Sequence, residues 1–311
     1  ERKIFSGRSN PELAKKIADS ADCQLGDISI KTFSDGEIWV KYEENVRGQD
    51  IFIIQSTNGP SENIIELALM ADAAVRASAS TVNIIMPYFG YGRQDRKDRP
   101  RVPISARMFL DVISAVGVNR IVSMDLHSSQ IQGFANVPFD HLYSRIALSG
   151  YLKEMSLNED TGVVLAPDVG SAKMSQAYAK TLGISFALID KRRPKANQAV
   201  VANLIGELNN KHVLIIDDMI DTAGTICNAA QTAMDNGALS VIAVATHPVL
   251  SGPAIERLEK SPISKVIVCN TIEMKEENKF SKLQVINVSK VFGESIKRIV
   301  DGDSLSSMFR V

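Results

Sequence analysis

Short β-branched runs alternate along the chain with longer stretches in which apolar residues recur every three or four positions. "IFIIQS" is followed by "NIIELALMADAAVRAS", then by "TVNIIMPYF", "PISARMFLDVISAVG" and "RIVSMDL". The second half repeats the alternation with "VVLAPD", "AKMSQAYAKTLG", "FALID", "VLIIDD", "TICNAAQTAMDNG" and "LSVIAVATH". Continuous apolar runs predict buried strands and the 3.6-residue period predicts helices, so their alternation predicts βαβ units. The expected fold class is α/β, with two domains that are each a mostly parallel sheet flanked by helices.

A duplication is suggested by "GVNRIVSMDLH" at Gly117 to His127 and "GALSVIAVATH" at Gly237 to His247, each a helix-ending glycine, a strand and a histidine. The helices before them follow polar loops, "GYGRQDRKDRPRVP" and "DDMIDTAG". Turn residues in "FANVPFDHLYS" place the expected boundary there, giving domains 1–143 and 144–311. "DKRRPKANQ" predicts a mobile loop between the strand "FALID" and a helical "AVVANLIGELNN".

Composition narrows the class. A chain of 311 residues with 45% hydrophobic content has material for two cores. A net charge of −1 neither recruits nucleic acid nor marks an acidic tail, so local charge must carry any electrostatic argument. Cys23, Cys227 and Cys269 lie too far apart for a disulfide framework or a zinc site, which fits a reducing cytoplasm. No apolar run approaches the roughly 18 residues of a membrane span, and the start "ERKIFSG" lacks a secretory layout, so no membrane association is expected.

The densest candidate chemistry is "VLIIDDMIDTAGTI", Val213 to Ile226. Carboxylates crowded as in Asp217, Asp218 and Asp221 repel unless water, cations or ligand hydroxyls separate them. The small residues of "DTAGT" let main-chain amides approach an oxyanion, Thr222 and Thr225 add hydroxyls, and the coming helix adds positive potential. Phosphate on the amides of Ala223 and Gly224, with sugar hydroxyls on the acids, makes a phosphorylated ribose the natural ligand. A helix cap beside two solvated acids is the competing reading of the same residues.

This stretch is similar to the phosphoribosyl pyrophosphate loop of the type I phosphoribosyltransferase fold. With "NPELA", "FSDGE", "RQDRK", "DLHSSQIQGF", "DKRRPKAN", "THPVLSGPA" and "SLSSMF", the whole chain resembles the ribose-phosphate pyrophosphokinase family. The resemblance implies two duplicated phosphoribosyltransferase-like domains, the first with the ATP adenine site and the second with the sugar-phosphate and catalytic loops, the tail packing on the first. It implies transfer of the β,γ-diphosphoryl group of Mg-ATP to the C1 hydroxyl of ribose 5-phosphate, giving phosphoribosyl pyrophosphate and AMP. No GxxxxGK[ST] is present, so a P-loop mechanism is not available.

By the same resemblance, Phe33 and Arg93 face the adenine, with Asp35, Gly36, Glu37, Gln94 and Asp95 around it. His127 and Asp168 hold the Mg2+ of Mg-ATP, Asp125 stands behind His127, and Lys191 and Arg193 bind the transferring phosphates. Family members form hexamers that share the adenine site between subunits and answer to phosphate or ADP. Arg47, Gln132, Asp140, Ser304, Ser306 and Phe309 match parts of that regulatory site. The chain departs from the pattern at Ser171, where a glycine is usual, at Met174, where an arginine is usual, and at Asn136 and His141. The rival readings are a nucleobase phosphoribosyltransferase, which needs no "FSDGE" or "RQD", and a catalytically silent regulatory homologue.

Overall fold

The structure, a computed structural model, describes residues 1–192 and 201–309. Arg193, expected to be catalytic, lies outside the described residues. The chain divides into two compact units. The first takes Glu1–Ser144, Thr271–Glu273 and the tail from Val288, and the second takes Arg145–Asn270 and Met274–Asn287.

Unit 1 runs β1 (Arg2–Ser6), α1 (Pro11–Ser20), β2 (Ile28–Thr32), β3 (Ile38–Tyr42), β4 (Asp50–Ile54), α2 (Glu62–Arg76), β5 (Thr81–Met86), α3 (Ser105–Ala115), β6 (Arg120–Met124) and β7 (Phe139–Leu142). Its main sheet has the order β1-β4-β5-β6-β7, and every pair in it is parallel. Strands such as "DIFII" are buried almost throughout, as a parallel sheet covered on both faces requires. Leu67, Met70, Ala71 and Ala74 of α2 and Phe109, Leu110 and Ile113 of α3 recur at helical spacing and close on Ile51, Ile53 and Ile84. At the start of α1, Asn10 accepts from the Leu13 amide at 3.3 Å and Pro11 takes the first turn. β2 and β3 form a separate antiparallel hairpin.

Unit 2 runs α4 (Arg145–Lys153), β8 (Gly162–Ala166), α5 (Ala172–Leu182), β9 (Ser185–Arg192), β10 (Val201–Ile205), β11 (His212–Ile220), α6 (Gly224–Asp235), β12 (Ser240–Pro248), α7 (Ala254–Lys260), β13 (Ile263–Cys269) and β14 (Leu283–Ile286). The sheet order is β10-β9-β8-β11-β12-β13-β14, parallel except for the β9–β10 pair. Its core gathers Val163, Leu165, Val213, Ile215, Ala243 and Val266 with the alanine face of α6. The last helix, α8 (Ser289–Asp301), returns to unit 1 and packs on α1.

The units repeat one another element by element: strand, helix, hairpin, strand, helix, strand, helix, strand, strand. This topology corrects the expected internal pairing. Gly117 and Gly237 do end helices with positive φ, +92° and +84°, but β6 corresponds to β13 and β12 to β5. The two quoted segments resemble each other because helix-ending glycines before buried strands share one chemistry. The counterpart of "DDMIDTAG" is the stretch from Gln55 to Ser61 between β4 and α2, and not "GYGRQDRKDRPRVP".

A second correction concerns the segment expected to be a mobile catalytic loop. Asp190, Lys191 and Arg192 continue β9, and Val201–Ile205 is a strand paired antiparallel to it rather than the start of a helix. Pairing to β9 satisfies this backbone, and Gly206, at φ +104°, breaks any helix while packing where a Cβ would meet that of Ala187 at 2.8 Å.

Gly293 sits in α8 where it crosses α1. A Cβ there would meet Ser20 Cβ at 2.5 Å and the Ser20 carbonyl carbon at 2.8 Å. Helix propensity favours alanine over glycine by about 1 kcal/mol, while overpacking costs about 1–3 kcal/mol. Gly293→Ala is therefore expected to lower the urea midpoint of unit 1; a raised midpoint would show that propensity wins and the contact is loose.

Candidate active site

In unit 2, β8 and β11 are neighbours from which the chain winds outward in opposite directions, so their carboxyl ends open on a switch-point crevice. After β8, Asp168 Oδ1 accepts from the Ser171 amide at 3.0 Å and the Ser171 hydroxyl at 3.1 Å. β11 continues past Asp217 to Ile220, so the acid pair belongs to the strand. The Asp218 amide donates to Asp217 Oδ1 at 2.9 Å. Burial first, and then the carboxylates of Asp218 and Asp168, hold the Asp217 carboxyl well above the usual carboxylate range.

Beyond the strand, Ala223 takes a left-handed conformation, φ +65°, as the cap of α6, and offers no side chain to the first amides of that helix. The positive end of α6 is thereby left to an anion. Neighbouring elements hold the loop. The Ser251 hydroxyl donates to Asp221 Oδ1, the Ser251 amide donates to the Asp221 carbonyl at 3.0 Å, and Arg257 Nη1 donates to the Thr222 carbonyl at 3.1 Å. A Cβ on Gly224 would stand 3.3 Å from that guanidinium nitrogen. Lys191 lies exposed on β9 opposite Ala202.

Unit 1 holds a cavity of about 610 Å3 lined by Arg93, Gln94, Asp95, Arg96, Arg99 and His127, among others. Gln94 is fixed to the start of α3, because the Ser105 hydroxyl donates to its Oε1 and the Ala106 amide donates to its carbonyl at 3.2 Å. Arg93, Gln94 and Asp95 thus share one polar, cation-rich space. Phe33, Asp35, Gly36 and Glu37 stand elsewhere, on the exposed tip of the β2–β3 hairpin, where the Phe33 ring is 50% exposed.

Comparison with known proteins places the chain in a family. The model of the N-terminal domain of ribose phosphate pyrophosphokinase matches residues 2–117, and that of the phosphoribosyl synthetase-associated domain matches residues 190–310. A ribose-phosphate pyrophosphokinase of Chlorobaculum tepidum is 52% identical over 99% of this chain and 94% of its own. The one of Bacillus subtilis is 47% identical over 99% and 96%. This chain belongs to the ribose-phosphate pyrophosphokinase family. Among solved structures, a phosphoribosylpyrophosphate synthetase of Mycobacterium smegmatis superposes with a TM-score of 0.91 at 37% identity, covering 97% of this chain and 99% of that one. The expected pair of phosphoribosyltransferase-like domains holds.

Within this member of the ribose-phosphate pyrophosphokinase family, the departure at Ser171 has a visible consequence: a hydroxyl grips Asp168, where a glycine could offer only its amide. Asp125, at φ +40°, takes the Ser144 amide and hydroxyl on its Oδ2, at 3.2 and 2.6 Å. Residues matched to the regulatory site make local contacts in unit 1. Asp140 pairs with Arg120 at 2.5 Å, Gln132 Nε2 lies 3.4 Å from His141 Nδ1, the hydroxyls of Ser304 and Ser306 lie 2.7 Å apart, and the Arg47 amide donates to Asn45 Oδ1 at 3.0 Å. Ser306–Phe309 forms a 3-10 turn.

Ser251 and Arg257, which hold the 221–224 loop from the β12–α7 turn and α7, were not named as candidates. Ser251 lies within the quoted "THPVLSGPA", but that motif alone does not give its contact, and Arg257 on the polar face of "AIERLEK" is what any solvated helix would carry. Nor were Arg96 and Arg99, of the same run as "RQD", which line the cavity.

The raised Asp217 carboxyl gives a pH-dependent test. A carboxyl raised in the folded state contributes stability that is full below its ordinary pKa and is lost as pH rises through the raised one. Asp217→Asn removes that loss. Its urea midpoint is expected to exceed the parent's by a margin that grows with pH, measured without ligand; a margin independent of pH would mean the carboxylates are not crowded.

Proposed function

We infer that this chain is a ribose-phosphate diphosphokinase. The C1 hydroxyl oxygen of ribose 5-phosphate bonds to the β-phosphorus of ATP, and the bond from that phosphorus to the oxygen bridging to the α-phosphate breaks. AMP leaves, the hydroxyl proton passes to solvent, and phosphoribosyl pyrophosphate remains. The observation that carries this is the full-length match to ribose-phosphate pyrophosphokinases at 46–52% identity in several species. The arginine-lined cavity of unit 1 has no use in a nucleobase phosphoribosyltransferase, and Lys191, His127 and Asp168 are all present, which speaks against a silent homologue.

In unit 2 the sugar phosphate takes the amides of Thr222, Ala223, Gly224 and Thr225, while Asp217 and Asp218 accept from ring hydroxyls. Asp221 shapes the loop through Ser251. Lys191, with Arg193, lends positive charge to the transferring phosphates. In unit 1, Arg93, Gln94 and Asp95 receive the nucleotide. Phe33, Asp35, Gly36 and Glu37, exposed on their hairpin, suit an adenine site completed by a second copy, in keeping with a homo-oligomer such as a hexamer. Phosphate or ADP acting through Arg47, Gln132, Asp140, Ser304, Ser306 and Phe309 would be the effectors. Cys23, Cys227 and Cys269 remain thiols, as a reducing cytoplasm favours.

Magnesium fits the residues present. Crowded carboxylates that raise the Asp217 pKa are relieved by a cation, and Asp168 offers an oxygen ligand. Among the described residues no group of three or more His, Cys, Asp or Glu side chains forms a cage, so phosphate oxygens and water would complete the shell. His127 lies among the cavity arginines, where a nucleotide's phosphates would meet it. When bound, the ion would neutralise phosphate charge and hold the donor in line.

Incubation with Mg-ATP and ribose 5-phosphate is expected to yield AMP and phosphoribosyl pyrophosphate in equal amounts, and neither when one substrate is omitted. Conversion of a nucleobase and phosphoribosyl pyrophosphate to a nucleotide instead would overturn the assignment. Lys191→Ala is expected to lower kcat by about 100- to 1000-fold while calorimetry still records ATP binding; near-parental turnover would remove Lys191 from the chemistry.

A further inference from the structure

The duplication gives unit 1 a crevice built from the same elements as the proposed sugar-phosphate site of unit 2. Its walls come from corresponding elements: Arg8 after β1, Thr32, Gly36 and Ile38 from the hairpin, and Pro60, Glu62, Asn63 and Glu66 from the β4–α2 turn and α2. The volume is about 390 Å3. The chemistry is opposite to that of unit 2. Glu66 is 2% exposed and fully engaged: its Oε1 accepts from Arg8 Nε at 2.6 Å, and its Oε2 accepts from the Arg8 amide at 2.7 Å and from Gln55 Nε2 at 2.8 Å. Glu62 in the first turn of α2 would repel an anion at the helix end. The crevice holds an internal ion pair where its counterpart would hold a ligand.

The free end of that pair points to the hairpin. Arg8 Nη2 donates to Thr32 Oγ1 at 2.9 Å, next to Phe33. Elsewhere the hairpin is held by apolar packing that stops short of the tip. Ile28, Ile30, Val40 and Tyr42 pack on the unit 1 core, and the Tyr42 hydroxyl donates to the Met70 carbonyl at 2.8 Å. The next pairs in register, Lys31 with Trp39 and Thr32 with Ile38, lie beyond that anchorage, and Thr32 and Ile38 line the crevice. Lys31 and Thr32 are exposed.

We propose that Arg8 is a positioning residue for nucleotide recognition: braced on buried Glu66, it spans the crevice to Thr32 and fixes the angle at which the hairpin presents Phe33, Asp35 and Glu37. This rests on the reading of the hairpin tip as an adenine wall. A buried carboxylate locks the guanidinium in one rotamer, so the bond to Thr32 constrains the tip with little further loss of side-chain freedom. Without it, the tip would swing about the Ile30–Val40 pair, and each nucleotide would have to order it on binding.

Thr32→Val tests this, since it keeps the shape of an exposed side chain and removes only the acceptor, leaving the Arg8–Glu66 pair intact. One net hydrogen bond corresponds to about five-fold in an equilibrium. The KM for ATP is expected to rise about five-fold in the full-length enzyme, with kcat and the KM for ribose 5-phosphate within about two-fold of the parent. Thr32→Ser, which restores the hydroxyl, should return the parental value. Trp39, the chain's single tryptophan, stands on the same hairpin, so its fluorescence anisotropy without nucleotide should fall in Thr32→Val and recover in Thr32→Ser. Phe33→Ala distinguishes a failed strut from a failed adenine wall. If it raises the KM for ATP while Thr32→Val changes neither that KM nor the anisotropy, the strut is overturned and the adenine reading stands. If Phe33→Ala leaves the KM for ATP unchanged, the adenine reading fails and the role given to Arg8 fails with it.

Discussion

Like charges forced together at the end of a buried strand are the constraint on which the rest of this molecule turns. Asp217 and Asp218 stand near the end of β11, Asp168 follows the neighbouring β8, and Asp217 is buried within reach of both other carboxylates. Burial and mutual repulsion keep Asp217 protonated further up the pH scale than an ordinary aspartate. Beside them, α6 begins with amides that its own cap residue does not engage. A ligand carrying hydroxyls at one end and a phosphate at the other relieves both strains at once, and a sugar phosphate is such a ligand. A cation relieves the first only.

The duplication shows what happens to the same scaffold when that strain is absent. In unit 1 the corresponding crevice has a single buried acid, Glu66, and a built-in cation, Arg8, satisfies it. No ligand is needed to complete the charge balance, and the crevice becomes a brace. The cationic surplus of unit 1 is displaced one βα unit along the sheet, to the loop between β5 and α3, where Arg93, Arg96 and Arg99 line a larger cavity. On the proposed reading, one topology carries a sugar-phosphate site in one unit and a polyanion site at a different strand end in the other.

Much of this was legible in the chain. Long, strongly periodic segments such as "NIIELALMADAAVRAS" and "TICNAAQTAMDNG" fold as the helices α2 and α6 because their apolar faces have one sheet to cover. The loop proposed to hold the sugar phosphate stood out as a candidate because acids, small residues and threonines occur there within one short run. What stayed hidden depended on partners distant in sequence. β10 carries a helical-looking pattern but is a strand because β9 supplies its hydrogen bonds. The pairing of the repeats was misplaced by one unit because glycine-ended helices look alike until strand order is known. Ser251, Arg257 and Arg8 reach Asp221, Thr222 and Thr32 across 24 to 35 positions, which no local window contains.

The central claim is that ribose 5-phosphate binds through the main chain at the start of α6 with its ring hydroxyls on the acids of β11. Amide hydrogen exchange of the full-length protein, followed with and without ribose 5-phosphate, addresses it directly. The account predicts slowed exchange at Thr222, Ala223, Gly224 and Thr225 that ribose without the phosphate does not produce, and loss of that protection when Asp217 and Asp218 are both replaced by alanine. Unchanged exchange across these four amides at saturating ribose 5-phosphate would contradict it.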